Sequence, residues 1–325
     1  MHPWSRRQDG VAIISALLVV TAVAVIVTGL IARESARLDQ VDDEQQRLQA
    51  YWALQGGLLW VRQGLEEQRR AEPLTHLQQP WAAPSLRLML APEQAPYEAQ
   101  VDDEQAKFNL RNLVLGNEAD PRAEEEFLRL ANALQVPAVQ AQRIIARVLA
   151  GIGHAPAGAA AALAARGAQE AFDSGRDTSP NAALRYRPAR LPMLRHFEDL
   201  AATPGIEART LERLRDYVTV LPGNTWVNAN TAPAVVLAAM VPGYELARMQ
   251  LLLAERDRGV HFLNRGDFAS RLGRSGVEAS NLRVGITSNF FLVHGRTQAQ
   301  GRVVSQQALV RRQDDGSTQI LWSES

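Results

Sequence analysis

From Gly10 to Ala32 the chain runs through twenty-three residues without a charge, nearly all of them apolar. Wound as a helix rising ~1.5 Å per residue, that run is roughly 33 Å long, about the thickness of a bilayer's hydrocarbon core. It offers no polar face on which a soluble helix of that length could meet water. A cleaved secretory signal would have a shorter apolar region ending in a small-x-small site; this one leaves through Leu30-Ile31-Ala32-Arg33. The pattern predicts a membrane-spanning helix over 11–32. Arg6 and Arg7 precede it, and basic flanks stay on the cytoplasmic side. The N-terminus is therefore expected in the cytoplasm and the bulk of the chain on the far side of the membrane.

The helix is expected to continue over 33–70, where no proline occurs. Leu38, Val41, Leu48, Trp52 and Leu59 recur near a seven-residue repeat, which draws one apolar stripe on a polar helix and predicts that this stripe packs against a folded domain. Gly56-Gly57 is expected to bend the helix without ending it. A coiled-coil stalk is the alternative, and it would need a longer and cleaner repeat.

Pro73, Pro80, Pro84, Pro92 and Pro96 then exclude long helices. Leu86–Leu90 and Tyr97–Val101 read as short strands, and the end of the chain is strand-like again at 290–297, 302–311 and 318–322. Between these ends, Arg122–Gln135, Pro137–Leu149, Arg209–Val220 and Pro233–Arg258 have helical spacing. Leu200-Ala-Ala-Thr-Pro-Gly-Ile-Glu207 and Leu237-Ala-Ala-Met-Val-Pro-Gly-Tyr-Glu245 form a weak internal repeat of the helix-hairpin-helix kind. The expected fold is α+β: a long N-terminal helix packed on a small antiparallel sheet, split by an inserted all-α, helix-hairpin-helix (SAM-like) domain. The expected parts are 1–10 as a leader, 11–32 as the span and 33–70 as the continuing helix. Residues 71–113 form the first β region, 114–285 the insertion and 286–325 the returning strands.

Charge narrows the chemistry. The 325 residues carry 35 basic and 35 acidic side chains, and the basic set is 34 arginines and one lysine, Lys107. There is no cysteine, which excludes disulfides, thiolate metal sites and a cysteine nucleophile. The six histidines are scattered, no Gly-x-Ser-x-Gly setting exists, and the acidic runs 42–44, 102–104 and 124–126 read as solvated faces or helix N-terminal charges. No enzyme is expected. Helix-hairpin-helix modules hold DNA phosphate through hairpin N–H groups aided by nearby cations. Here Glu207 and Glu245 stand at those places, with Arg248 the basic residue close to the second hairpin. No nucleic-acid partner is therefore expected. The alternative reading is a membrane-anchored DNA-binding or DNA-uptake protein.

The hydrophilic leader ending at Gly10 resembles that of type IV prepilins, which a prepilin peptidase cuts after the glycine. Lys107-Phe-Asn-Leu-Arg-Asn-Leu113, Tyr186-Arg-Pro-Ala-Arg190 and Val227-Asn-Ala-Asn-Thr-Ala-Pro233 extend the likeness, and together these stretches resemble the minor pseudopilin K family of the type II secretion system. The resemblance implies cleavage between Gly10 and Val11, N-methylation of Val11, and export of folded proteins by a pseudopilus in the inner membrane. It also implies partners: minor pseudopilins I, J and H, the prepilin peptidase, the inner-membrane assembly platform and secreted substrates. Pilins have glutamate at the fifth mature position; this chain has Ser15 there, as the resembled family lacks that glutamate. The family's acidic calcium loop is not matched, since Arg147–Gly153 carries no carboxylate. Glu170, Asp173 and Asp177 are the nearest acids, at most a degenerate calcium site.

Overall fold

The computed structural model describes residues 8–89, 96–155, 187–274, 278–299 and 302–324. Helix α1 runs from Gln8–Ala71 without a break, as expected for a segment with good helix formers and no proline within it. Contacts divide the chain into two compact units.

The first unit comprises Met1–Leu58, Arg87–Glu98 and Gly295–Ser305. Here α1 buries Ala50, Ala53, Leu54 and Leu58, while Val41, Leu48 and Trp52 are exposed. The expectation that the heptad stripe packs on a domain is therefore corrected: the packed face is the one with the small residues. Small side chains let backbones approach closely, and the closest approach is at Gly57, where a methyl group would fall inside the ring of the fully buried Tyr97. Gly295 borders the same ring, and a Cβ there would lie 2.5 Å from Tyr97 Oη. Gly57 thus serves close packing inside an unbroken helix, where the sequence had suggested a bend.

A five-stranded sheet has the order β1–β2–β9–β10–β11, formed by Leu86–Leu88, Tyr97–Asp103, Phe290–Ala299, Arg302–Arg312 and Thr318–Glu324. Strands from both ends of the sequence meet in it, as expected. β10 and β11 are antiparallel, with Leu309 opposite Trp322, Val310 opposite Ile320, and a bulge between the two pairs.

The second unit holds the rest of the described chain. Its helices are α2 (Pro121–Ala133), α3 (Ala138–Gly151), α4 (Ala208–Leu214), α5 (Ala234–Met240), α6 (Leu246–Asp257) and α7 (Arg265–Arg271). Asp120 caps α2 by accepting from the N–H groups of Arg122 and Ala123, and Asn264 caps α7. Phe108, Phe127, Ile144, Leu200, Leu237 and Phe262 are among the residues of one continuous core.

The middle segment is not all-α. β3 (Phe108–Asn109) pairs in parallel with β6 (Val218–Thr219), β4 (Val114–Leu115) pairs with β5 (Glu118–Ala119), and β7 (Val227–Asn228) pairs in parallel with β8 (Val284–Gly285). The helix expected over Arg209–Val220 stops at Leu214 because Val218–Thr219 joins that ladder. The helical spacing over Pro233–Arg258 is two helices around the Pro-Gly hairpin, as the repeat with a second helix over Leu246–Arg258 predicts, with Val241 extended and Gly243 at φ +65°.

Candidate assembly interface

The apolar stretch of α1, Ile13–Glu34, is long enough to cross a membrane and none of it is buried. Its two threonine hydroxyls are satisfied by the helix itself. Thr21 Oγ1 donates to the carbonyls of Leu17 (2.9 Å) and Leu18 (3.0 Å), and Thr28 Oγ1 to that of Ala24 (2.8 Å), so neither brings an unpaired polar group into hydrocarbon. Charge returns at Arg33 and at the Glu34–Arg37 pair, 3.6 Å apart. Beyond it the exposed side chains Val41, Leu48 and Trp52 carry the apolar surface onward, with Tyr51 edge-on to Trp52 at 5.3 Å between ring centroids. Large apolar groups left in water along one helix face mark a surface that another helix can cover.

Gly10 and Val11 lie in the first turns of α1, which begins at Gln8. Peptide cleavage between them would require that turn to open, an inexpensive step because the first N–H groups of a helix have no intrahelical partners. Ser15 stands one turn further on and is exposed. Glu170, Asp173 and Asp177 lie outside the described residues. Among the described residues no group of three His, Cys, Asp or Glu side chains could hold a metal ion.

Two of the motifs that carried the family likeness, 107–113 and 227–233, are fasteners of the second unit, whereas Tyr186 lies outside the described residues. Asn109 donates to Gly223 O (2.7 Å) and accepts from the N–H groups of Arg111 and Leu221. Asn112 exchanges bonds with both main-chain groups of Thr225. Asn230 does the same with Phe262. Asn228 donates to Thr75 O (3.0 Å), Ser288 Oγ (2.8 Å) and Asp103 Oδ2 (3.3 Å).

Asp103 is a hub that sequence reading missed. Its carboxylate accepts from Thr231 Oγ1 and Ser288 Oγ, both at 2.5 Å, and from Gln105 N at 2.8 Å. Burial pushes its pKa up, opposed by these donors. The nearly fully buried Arg312 donates to Thr75 Oγ1 (2.9 Å), Ser288 O (2.6 Å) and Leu65 O (3.3 Å). Burial, helped by Arg69, lowers its pKa to about 10 against the pull of Asp103. Glu104 accepts from Thr219 Oγ1 and from Lys107 Nζ, the latter at 2.6 Å, and is buried. Glu126 is buried beside Arg122. The acidic runs 102–104 and 124–126 are thus partly internal, correcting the solvated reading, whereas 42–44 is exposed as expected.

The two hairpins share one device. Gly205 and Gly243 have φ of +83° and +65°, conformations that glycine adopts without strain. Each hairpin carbonyl is taken by an arginine of the same chain: Arg143 donates to Gly205 O, and Arg274 to Pro242 O at 2.6 Å. Gln140 also bonds Gly205 O and both the N–H and the carboxylate of Glu207. These arginines brace the turns, and nothing here favours the DNA-binding alternative.

Two family models match the chain, both described as type II secretion system protein K, one over residues 106–223 and the other over 227–287, together more than half of its length. A type II secretion system protein K of Pseudomonas aeruginosa is 27% identical over 327 residues, covering 97% of this chain and 92% of that protein. One from Klebsiella pneumoniae is 28% identical over 251 residues, 73% of this chain and 72% of that one. Among solved structures, a chain of the GspK-GspI-GspJ complex from the enterotoxigenic Escherichia coli type 2 secretion system aligns with TM-score 0.64 and 18% identity. The alignment covers 88% of this chain and 98% of that chain and establishes the likeness of fold.

Proposed function

The chain belongs to the type II secretion system protein K family of minor pseudopilins, and from that premise we propose that it caps the tip of the pseudopilus and helps start its assembly for export of folded proteins. Ser15 carries the reading. In a pilin-like stack the carboxylate expected there neutralises the N-terminal ammonium of the neighbour nearer the tip, inside lipid or a packed helical core where an unpaired charge is costly. A subunit with no neighbour above it has no ammonium to meet, and a hydroxyl is the cheaper occupant. The bulky segment 114–285 supports the same position, since it would obstruct a further subunit.

In this reading the chain is cut between Gly10 and Val11 by a prepilin peptidase, and Val11 is methylated. It spans the inner membrane once, its N-terminus cytoplasmic and residues 33–325 periplasmic. The Ile13–Glu34 helix and the exposed stripe beyond it take the helices of minor pseudopilins I and J, the proteins in the complex whose K chain shares this fold. Pseudopilin H, the assembly platform and the exported proteins complete its contacts. The role is one of assembly, without catalysis.

The test replaces Ser15 with Glu. Secretion and recovery of the complex with I and J are both expected to fall, because the introduced carboxylate has no ammonium partner, while wild-type protein labels filament ends. Label distributed along filament shafts overturns the tip assignment.

A further inference from the structure

A cleft of about 460 Å³ with mixed polar and apolar lining opens in the second unit between the 222–226 loop and the segment 283–290. Trp226 lines it and is 49% exposed, a large aromatic surface to leave in water. The Arg265 guanidinium lies over the indole, 4.2 Å from its centroid, and fixes the ring. The cleft floor is rigid: Gln105 donates to Trp226 O (3.2 Å) and accepts from Asn289 N (2.6 Å), while Asn224 Nδ2 holds Val114 O (2.8 Å).

Several groups lining the cleft remain uncommitted. The indole Nε1 of Trp226, the side-chain amide of Asn289, the hydroxyl of Thr287 and the guanidinium of Arg311 make no hydrogen bond with the described residues. Arg311 lies 5.8 Å from the Phe290 ring centroid and has no acidic partner among them. An indole surface, a mixed set of donors and acceptors, and one unneutralised cation on a rigid frame suit a ligand with an apolar C–H face, many hydroxyls and negative charge.

We propose that this cleft binds an acidic oligosaccharide, the sugar ring stacking on Trp226, its hydroxyls meeting Thr287 and Asn289, and its carboxylate meeting Arg311. An extended peptide is the weaker fit, because peptides added to sheets use a long free strand edge, and β7 and β8 beside this cleft are two residues each and pair with one another.

The test is calorimetric titration of the full chain in detergent micelles with an oligouronate and with a neutral N-acetylhexosamine tetramer. The oligouronate is expected to bind more tightly. Trp226→Ala should weaken both sugars about tenfold, and Trp226→Tyr, which keeps an aromatic face, should restore most of that loss. Arg311→Gln should bring the oligouronate to the level of the neutral sugar. The proposal is overturned if neither sugar binds at millimolar concentration, if Trp226→Ala binds as wild type, if Trp226→Tyr is as weak as Trp226→Ala, or if a polyglutamate peptide competes as well as the oligouronate.

Discussion

Gly57 lacks a side chain because Tyr97 occupies the space one would need, whereas Gly64 on the same helix has nothing within 4 Å of its absent Cβ. Alanine should therefore act with opposite sign at the two positions. Gly57→Ala overpacks a buried ring and should lower unfolding free energy by about 1–3 kcal/mol. Gly64→Ala should raise it by about 0.5–1 kcal/mol through helix propensity alone. Denaturant unfolding of both variants checks the pair. The sequence could not separate them: Gly56-Gly57 reads locally as a bend, and the reason for Gly57 lies forty residues away on another strand. Asp103 was hidden in the same way. Within Asp102-Asp-Glu104 it looks like one more solvated acid, and its hydroxyl partners Thr231 and Ser288 lie 128 and 185 residues further on. The role proposed for Ser15 draws on no tertiary contact, since it is argued from distance to the leader alone.

At the scale of elements, the apolar stripe of α1 was read correctly as a stripe and wrongly as the packed face. Periodicity reports that one face is apolar; it does not report which neighbour covers it. Small residues at Ala50, Ala53 and Gly57 were the better signal for the packed side, since they let a helix lie close. If Val41 and Trp52 form a partner surface, Val41→Asp with Trp52→Asp should change the stability of the isolated chain by no more than about 0.5 kcal/mol. The same variant should fail to recover minor pseudopilins I and J on co-purification. Intact recovery would remove the stripe from the interface. Short ladders defeated sequence reading for a different reason. Strands of two residues, such as those of Val218–Thr219 and Val227–Asn228, have no period to detect and exist because tertiary contacts pair them.

For the whole molecule, the joining of N- and C-terminal strands in one sheet was readable from composition at the two ends, and the polar joints that lock the second unit were not. One such joint titrates. His76 stacks on His261 with ring centroids 3.8 Å apart, and Glu72 Oε2 lies 3.0 Å from His76 Nε2. Burial lowers the pKa of His261, the His76 and Arg256 charges lower it further, and Glu72 opposes them. The unfolded chain therefore binds this proton near pH ~6.5 while the folded chain still refuses it. Its contribution to stability is present above that value and is lost as pH falls through the depressed folded pKa. Asp103, raised by burial, slopes the opposite way at lower pH, so the difference between wild type and His261→Gln isolates the effect. Melting temperatures of wild type should fall more steeply than those of the variant between pH 7 and pH 5, and parallel curves would exclude the joint as the cause.

The grip of Glu104 on Lys107 also makes the protein unusually simple to tag. It has one ε-amine, drawn into a pair 2.6 Å long with 18% of its side chain exposed. Reagents that seek amines find that group held in its ion pair and largely covered, and react first at the α-amine. A fluorophore added this way marks the N-terminal amine in preference to any side chain, without engineering a single residue.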